Sequence, residues 1–144
     1  MNLNEIKEMI QHDLTMDKTE LDLESLKTPQ LHSKYLNFLM DEKLVLAKKE
    51  SDLKRLVKIK WLYYTGKMSQ EELDFYGYEP FQLTVLKQDI DKFMQSDDEL
   101  IDLNNKVKYQ SEKVHFLEET LKMITNRQWL IRSAIDWIKF SHGT

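Results

Sequence analysis

From Asp97 onward the apolar residues of this chain fall seven apart. Leu100, Val107, Val114, Leu121 and Ile135 mark one series, and Leu103, Leu117, Ile124, Ile131 and Ile138 follow it at an offset of three. Ten of the twelve seam positions are apolar, and only Gln110 and Gln128 interrupt them. A stripe with this period is one face of an α-helix that has to lie against another helix. The two glutamines fit either of two readings: devices that fix register, or a seam edge wet enough to tolerate an amide. A straight helix over 97–140 would run about 65 Å at 1.5 Å per residue, whereas a compact domain of this length has a radius of gyration near 15 Å. The helix is therefore expected to overhang its domain or to break, with Asn126-Arg127 as the expected break.

Past that point Trp129, Leu130, Ile131, Ala134, Ile135, Trp137, Ile138 and Phe140 are too many apolar groups for one buried stripe. A helix apolar on most sides is enclosed on most sides, and this chain has few other helices with which to enclose it. The implied structure is a homo-oligomer joined at its C-terminal end, with Trp129, Ile131, Ile135, Trp137, Ile138 and Phe140 as the contact residues and the tryptophans as anchors.

The rest of the chain reads as helix too. Only three Gly and two Pro occur in 144 residues, too few for a turn-rich β fold. Thr28-Pro29 resembles an N-cap followed by proline at the first helical position, and nothing interrupts the chain until Gly66, a residue type that ends helices in the left-handed conformation. The spacing thus predicts one helix of roughly 37 residues, taking its length from the rule that Pro starts and Gly stops. Residues 1–14 form a short amphipathic helix on Ile6, Met9 and Ile10 with Asn2 or Asn4 as cap, and Asp17 or Thr19 caps a turn through Leu21–Leu26. Ser69-Gln70-Glu71-Glu72 has the form of a capping box opening a short helix. Residues 76–80 are a loop, and Pro80 begins a further helix carrying Leu83, Leu86, Ile90 and Phe93, although 81–86 would also suit a short strand. The expected fold is all-α, with long antiparallel helices and a C-terminal helical oligomerisation core. It forms a single domain over 1–144, in which 1–28 is peripheral, 29–66 is a basic helix and 97–140 is the heptad helix.

Charge is the second constraint. Between Lys48 and Lys67 seven cations (Lys48, Lys49, Lys54, Arg55, Lys58, Lys60, Lys67) face only Glu50 and Asp52, so the segment is net +5 in a chain that is net −4. The remainder carries −9, and a separation this steep focuses attraction on polyanions that the rest of the molecule repels. On a helix at about 100° per residue, Tyr35, Leu39, Leu46, Leu53, Leu56, Val57 and Tyr64 share one arc. Lys48, Lys54, Arg55 and Lys58 lie opposite, bordered by Trp61. Lys60 falls on the apolar side beside the tyrosines, where its stem can follow the core and send the ammonium out past the helix end. Cations interleaved with aromatics suit an unpaired nucleic-acid strand, because phosphates need charge and unstacked bases need flat apolar faces. The competing reading is a solvated face of an amphipathic helix.

Catalytic chemistry finds little support. The chain has no cysteine, hence no thiolate nucleophile, thiolate metal site or disulfide framework, which fits an intracellular protein. His12, His32, His115 and His142 include no pair at metal-binding spacing. Asp89, Asp91 and Asp97 would suit a Mg²⁺-dependent nuclease if they converged, but read more simply as a solvated helix face and an N-cap. No phosphate-binding glycine loop is present, and no cofactor or metal is implied. The N-terminus lacks the apolar run of a secretory signal, and no stretch is long and apolar enough to span a membrane.

Leu31-His32-Ser33-Lys34-Tyr35-Leu36-Asn37, then the basic run leading into Tyr63-Tyr64-Thr65-Gly66-Lys67, resemble the UvsY family of T4-like phage recombination mediators. Asp17-Lys18-Thr19-Glu20-Leu21 and the closing Asn126-Arg127-Gln128-Trp129-Leu130-Ile131-Arg132 with Ala134-Ile135-Asp136-Trp137-Ile138-Lys139-Phe140 and Gly143 are similar to it as well. The resemblance implies a non-enzymatic, phage-encoded factor of the host cytoplasm. Such a factor binds single-stranded DNA and assembles into a ring-like homo-oligomer, expected to be a heptamer. It loads a RecA-like phage recombinase onto DNA coated by the phage single-strand-binding protein. It also implies that Lys58 and Lys60 correspond to the family's DNA-binding basic pair; Lys54, Arg55, Lys67 and Trp61, from the charge and aromatic pattern of the stretch itself, complete the expected nucleic-acid face. The alternative from another class is a coiled-coil adaptor whose basic helix docks on an acidic protein without nucleic acid.

Overall fold

A computed structural model describes residues 1–143, which form five helices and no strand: α1 (Leu3–Leu14), α2 (Leu21–Tyr64), α3 (Gln70–Tyr76), α4 (Lys87–Gln95) and α5 (Asp98–Ser141). The all-α expectation holds. The chain divides into two compact units, one of residues 1–44 with 111–144 and one of residues 45–110, so both long helices contribute to each.

In the first unit α1 begins at Asn2, whose side chain accepts from the Glu5 amide while the Glu5 carboxylate accepts from the Asn2 amide, each at 2.9 Å. This reciprocal cap satisfies amides that the first turn leaves unpaired. The apolar side of α1 buries Ile6 and Ile10, and the core they join contains Tyr35 and Leu39 of α2 with Val114, Leu117, Ile124 and Ile131 of α5. Pairings between α2 and α5 run in opposite orders, Glu24 meeting Arg127 and Lys43 meeting Glu118, so the helices are antiparallel. On the heptad seam Leu100, Val114, Leu117, Ile124 and Ile131 are buried, Leu103, Val107, Leu121 and Ile135 are half-buried and Ile138 is exposed. Of the two glutamines, Gln110 is buried and Gln128 is exposed.

One boundary differs from that expected, and one alternative left open is decided. α2 begins at Leu21 and passes through Pro29 without ending. A contact distant in sequence bears on these turns: the buried Arg127 guanidinium pairs with the Glu24 carboxylate and also donates to the Glu24 carbonyl at 3.2 Å. That clamp holds the helix's first turns from outside, in the region where proline removes an amide. Likewise α5 does not break at Asn126-Arg127. No Gly or Pro interrupts it, and a helix that serves two units in turn need not fold back on one.

The second unit is built round aromatic rings. Tyr63 and Tyr64 at the end of α2 pack against Phe81 with centroids 5.6 and 5.1 Å away, and Phe93 of α4 lies 5.8 Å from Tyr64. Residues 78–86 are neither helix nor strand, which corrects the helix expected from Pro80. The residue before a proline is driven toward extended backbone, and here the Tyr63 hydroxyl also donates to the Glu79 carbonyl at 2.6 Å. Ile90 is buried as expected, whereas Leu83 and Leu86 are exposed. Ser69 caps α3 through the Glu72 amide, and Gly77, at φ 71°, ends it.

Candidate nucleic-acid interface

The basic stretch lies on the last five turns of α2, inside the second unit. Lys48, Lys54, Arg55, Lys58, Trp61 and Lys67 are exposed and Lys49 is half-exposed. Arg55 is bound to Asp52, one turn back, at 3.2 Å. Among the described residues, Lys48, Lys54, Lys58 and Lys67 have no carboxylate within ion-pair distance. The long-stemmed cations therefore stand in water with their charge unspent.

Lys67 is positioned by the helix terminus. Gly66 takes φ 70°, its amide reaches the Tyr63 carbonyl at 3.2 Å, and the Lys67 amide closes onto Leu62 at 2.9 Å. This paired closure reverses the chain, and the Lys67 ammonium comes back over the Trp61 ring, 4.4 Å from its centroid. Trp61 is 41% exposed. Trp61, Thr65 and Lys67 form one wall of an open groove of about 440 Å³, and Val85, Lys87, Ile90 and Asp91 form the other.

Lys60 is placed differently from the outward ammonium that its helical position allows. Its side chain is 6% exposed, with Nζ 3.1 Å from Asp97 Oδ2 and 3.4 Å from Glu99. The ammonium also sits over the Tyr78 ring, 4.2 Å from the centroid. Asp97 binds on both sides: Oδ1 accepts from the Leu100 amide at 3.0 Å, capping α5, and Oδ2 accepts from the Tyr64 hydroxyl at 2.6 Å. Burial disfavours the ionised form of Asp97, but the donors from Tyr64, Leu100 and Lys60 together outweigh it and hold the carboxyl below its usual range. For Lys60 burial works against the charge as well, and Asp97 and its neighbours prevail, raising the ammonium's pKa. Lys60 is thus a structural cation joining the end of α2 to the start of α5, and it is not on the exposed face with Lys58. Asp97 and Glu99 are the residues that sequence reading missed in this role. The signal was a lysine on the apolar arc, which needs a buried anion.

The acidic trio does not converge. Asp97 is occupied with Lys60 and Tyr64, Asp89 faces Lys92 at 3.7 Å, and among the described residues no three His, Cys, Asp or Glu side chains form a metal-holding group.

Near the C-terminus Trp129, Trp137 and Phe140 are exposed by 68, 67 and 76%. Ile138 and Leu130 are exposed too, and the Trp137 and Phe140 rings pack 5.8 Å apart. Ile131 is buried inside the chain's own core and so does not belong to that outward surface, while Ile135 is half-buried. Leu130 and Met123 do belong there, lining with Asn126 and Trp129 a hollow of about 370 Å³. No described helix is long and apolar enough to cross a membrane.

The sequence matches, over residues 9–144, the family described as "Recombination, repair and ssDNA binding protein UvsY". The recombination protein uvsY of Enterobacteria phage T4 is 24% identical over 143 residues, spanning 99% of each chain. Two crystal structures of the bacteriophage T4 recombination mediator protein UvsY share the fold. Lattice type II has a TM-score of 0.86 at 22% identity, covering 99% of this chain and 98% of that one. Lattice type IV has a TM-score of 0.85 at 21% identity, covering 97% and 99%. With the family matched over nearly the whole length and the fold shared from end to end, this chain belongs to the UvsY family of recombination, repair and single-stranded-DNA-binding proteins.

Proposed function

We propose that this chain is a recombination mediator that grips single-stranded DNA along the exposed face of α2. As a ring-like homo-oligomer in the host cytoplasm, with seven copies expected, it loads a RecA-like phage recombinase onto DNA coated by the phage single-strand-binding protein. It works without catalysing a reaction. The observation that carries the reading is the set of exposed cations Lys48, Lys54, Lys58 and Lys67, none with a carboxylate at ion-pair distance among the described residues, beside the half-open indole of Trp61. Lys60 takes part indirectly, by fixing the end of α2 against Asp97.

The second copy is supplied through the exposed apolar surface of Trp129, Leu130, Trp137, Ile138 and Phe140. Exposed aromatic side chains gathered along one helix end, with Trp137 and Phe140 in contact, suit an interaction site, and Trp is a common anchor of such interfaces. Assembly repeats the α2 face round a ring, and linked weak sites hold a strand far more tightly than one does. If each protomer neutralises three or four phosphates, log Kobs against log salt falls with a slope of roughly −2 to −3 per protomer, from about −0.7 per phosphate. A strand held extended over successive protomers loosens the coating protein's grip and offers the recombinase a bare template.

The test is fluorescence anisotropy of a labelled single strand, with and without Mg²⁺, followed by recombinase filament assembly on coated DNA. The reading expects salt-sensitive binding, an intact strand and faster filament nucleation. Absence of binding would favour a protein-binding adaptor, and strand loss in Mg²⁺ would favour a nuclease.

A further inference from the structure

The groove beside Trp61 has a composition that a phosphate track alone does not need. Its lining joins an aromatic ring, the apolar Val85 and Ile90, two lysines from separate segments and one carboxylate, in about 440 Å³, a size that takes a small ring system. Lys67 and Lys87 are exposed, and neither has an ion-pair partner among the described residues. Lys67 rests on the indole at 4.4 Å, and the hold of a ring on an exposed ammonium is weak. An arriving phosphate competes for that ammonium and draws it off the ring, which uncovers the indole face.

We propose that this groove receives one unstacked nucleobase of the bound strand. The base lies against Trp61, over the apolar floor of Val85 and Ile90, while Lys67 and Lys87 hold the phosphates on either side. Asp91 decides which part of the nucleotide enters. Its carboxylate repels phosphate from the interior, so the backbone stays at the lysine rim, and it can accept a hydrogen bond from an exocyclic amino group of an inserted base. The inference rests on the single-stranded-DNA reading above and deepens it. The basic face of α2 becomes a stacking site with a defined pocket, and residues 85–91 become part of the interface.

The experiment uses the full-length protein with an end-labelled oligothymidylate carrying one 2-aminopurine, and an abasic strand of equal length. Anisotropy reads binding, and 2-aminopurine emission reads stacking. The proposal expects emission to be quenched on binding and the abasic strand to bind more weakly. Trp61→Ala should abolish the quenching and weaken binding about 5- to 150-fold per base, the range that stacking one base on an aromatic face covers, while Trp61→Phe should retain most of both. Lys87→Gln should lower the salt slope by about 0.7 per protomer. Unchanged emission on binding, equal affinity for the abasic strand, or quenching that survives Trp61→Ala would each overturn the pocket while leaving the basic face intact. Absence of any binding would overturn the parent reading and the pocket with it.

Discussion

Lys60 of α2 and Asp97 at the start of α5 form an ion pair at 3.1 Å in which each side chain is only 6% exposed. The same carboxylate caps α5 and accepts from Tyr64, so one residue secures three groups. Removing one partner of a buried pair leaves an uncompensated charge, at about 3–5 kcal/mol. Lys60→Ala should therefore lower stability by about 3 kcal/mol, whereas the double change Lys60→Met with Asp97→Asn should recover much of that loss. Denaturant unfolding followed by circular dichroism reads both. Equal stability of wild type and Lys60→Ala would contradict a structural role for Lys60.

The acid limb of stability follows from the same carboxylate. Asp97 is held below its ordinary value in the folded protein, so its contribution is fully present above the unfolded value of about 3.9 and is lost as pH falls through the lower folded one. Asp97→Asn should be less stable at neutral pH and should vary less between about pH 5 and pH 2. Parallel pH profiles of the two proteins would count against this.

Arg127 is buried against Glu24, and among the described residues its Nε and Nη1 have no hydrogen-bond partner. Because a well-packed apolar replacement for a buried ion pair is often neutral or better, Arg127→Met with Glu24→Leu should keep most of the stability. Arg127→Ala alone should cost about 3 kcal/mol or more and should loosen α2 before Pro29. Hydrogen exchange of amides 21–28 should rise selectively in Arg127→Ala, and unchanged protection there would show that the clamp does not hold the helix start.

The outward aromatics should matter for assembly and not for folding. Trp129→Ser with Trp137→Ser should shift the protein toward smaller species in light scattering while leaving its helicity intact. Ile131→Ser should instead unfold the first unit, because Ile131 is 3% exposed within one chain. A wild-type protein that scatters as a single subunit would remove the ring from the account.

Much of this architecture was legible because period and capping are local. Leu117, Ile124 and Ile131 stand buried on the seam that the heptad marks, and Asn2 and Ser69 cap the helices they precede. What escaped was set by partners far along the chain. Pro29 read as a helix start, yet Arg127, 103 residues from Glu24, holds the turns before it. Lys60 read as a snorkelling cation because its arc was apolar, while its partner Asp97 read as a helix N-cap or a member of an acidic trio, and Glu99 drew no reading at all. Residues 80–86 read as helix because a proline can start one, with a short strand over 81–86 as the alternative, but Tyr63 and Tyr64 pack against Phe81 and the segment is neither. In the site, the α2 side was visible as alternating charge and aromatics. The 85–91 side carried no pattern of its own and emerges only from its proximity to Trp61.

The exposed cations of α2 are the centre of the account, and the salt dependence of strand binding tests them directly. Lys54, Lys58 and Lys67 are open to solvent and, among the described residues, have no carboxylate within ion-pair distance, so replacing all three with Gln should leave unfolding nearly unchanged. The log–log salt slope for a labelled single strand should become shallower by about 2 per protomer, with affinity at low salt falling accordingly. A triple variant that keeps the wild-type slope and affinity would contradict the assignment of this face to DNA.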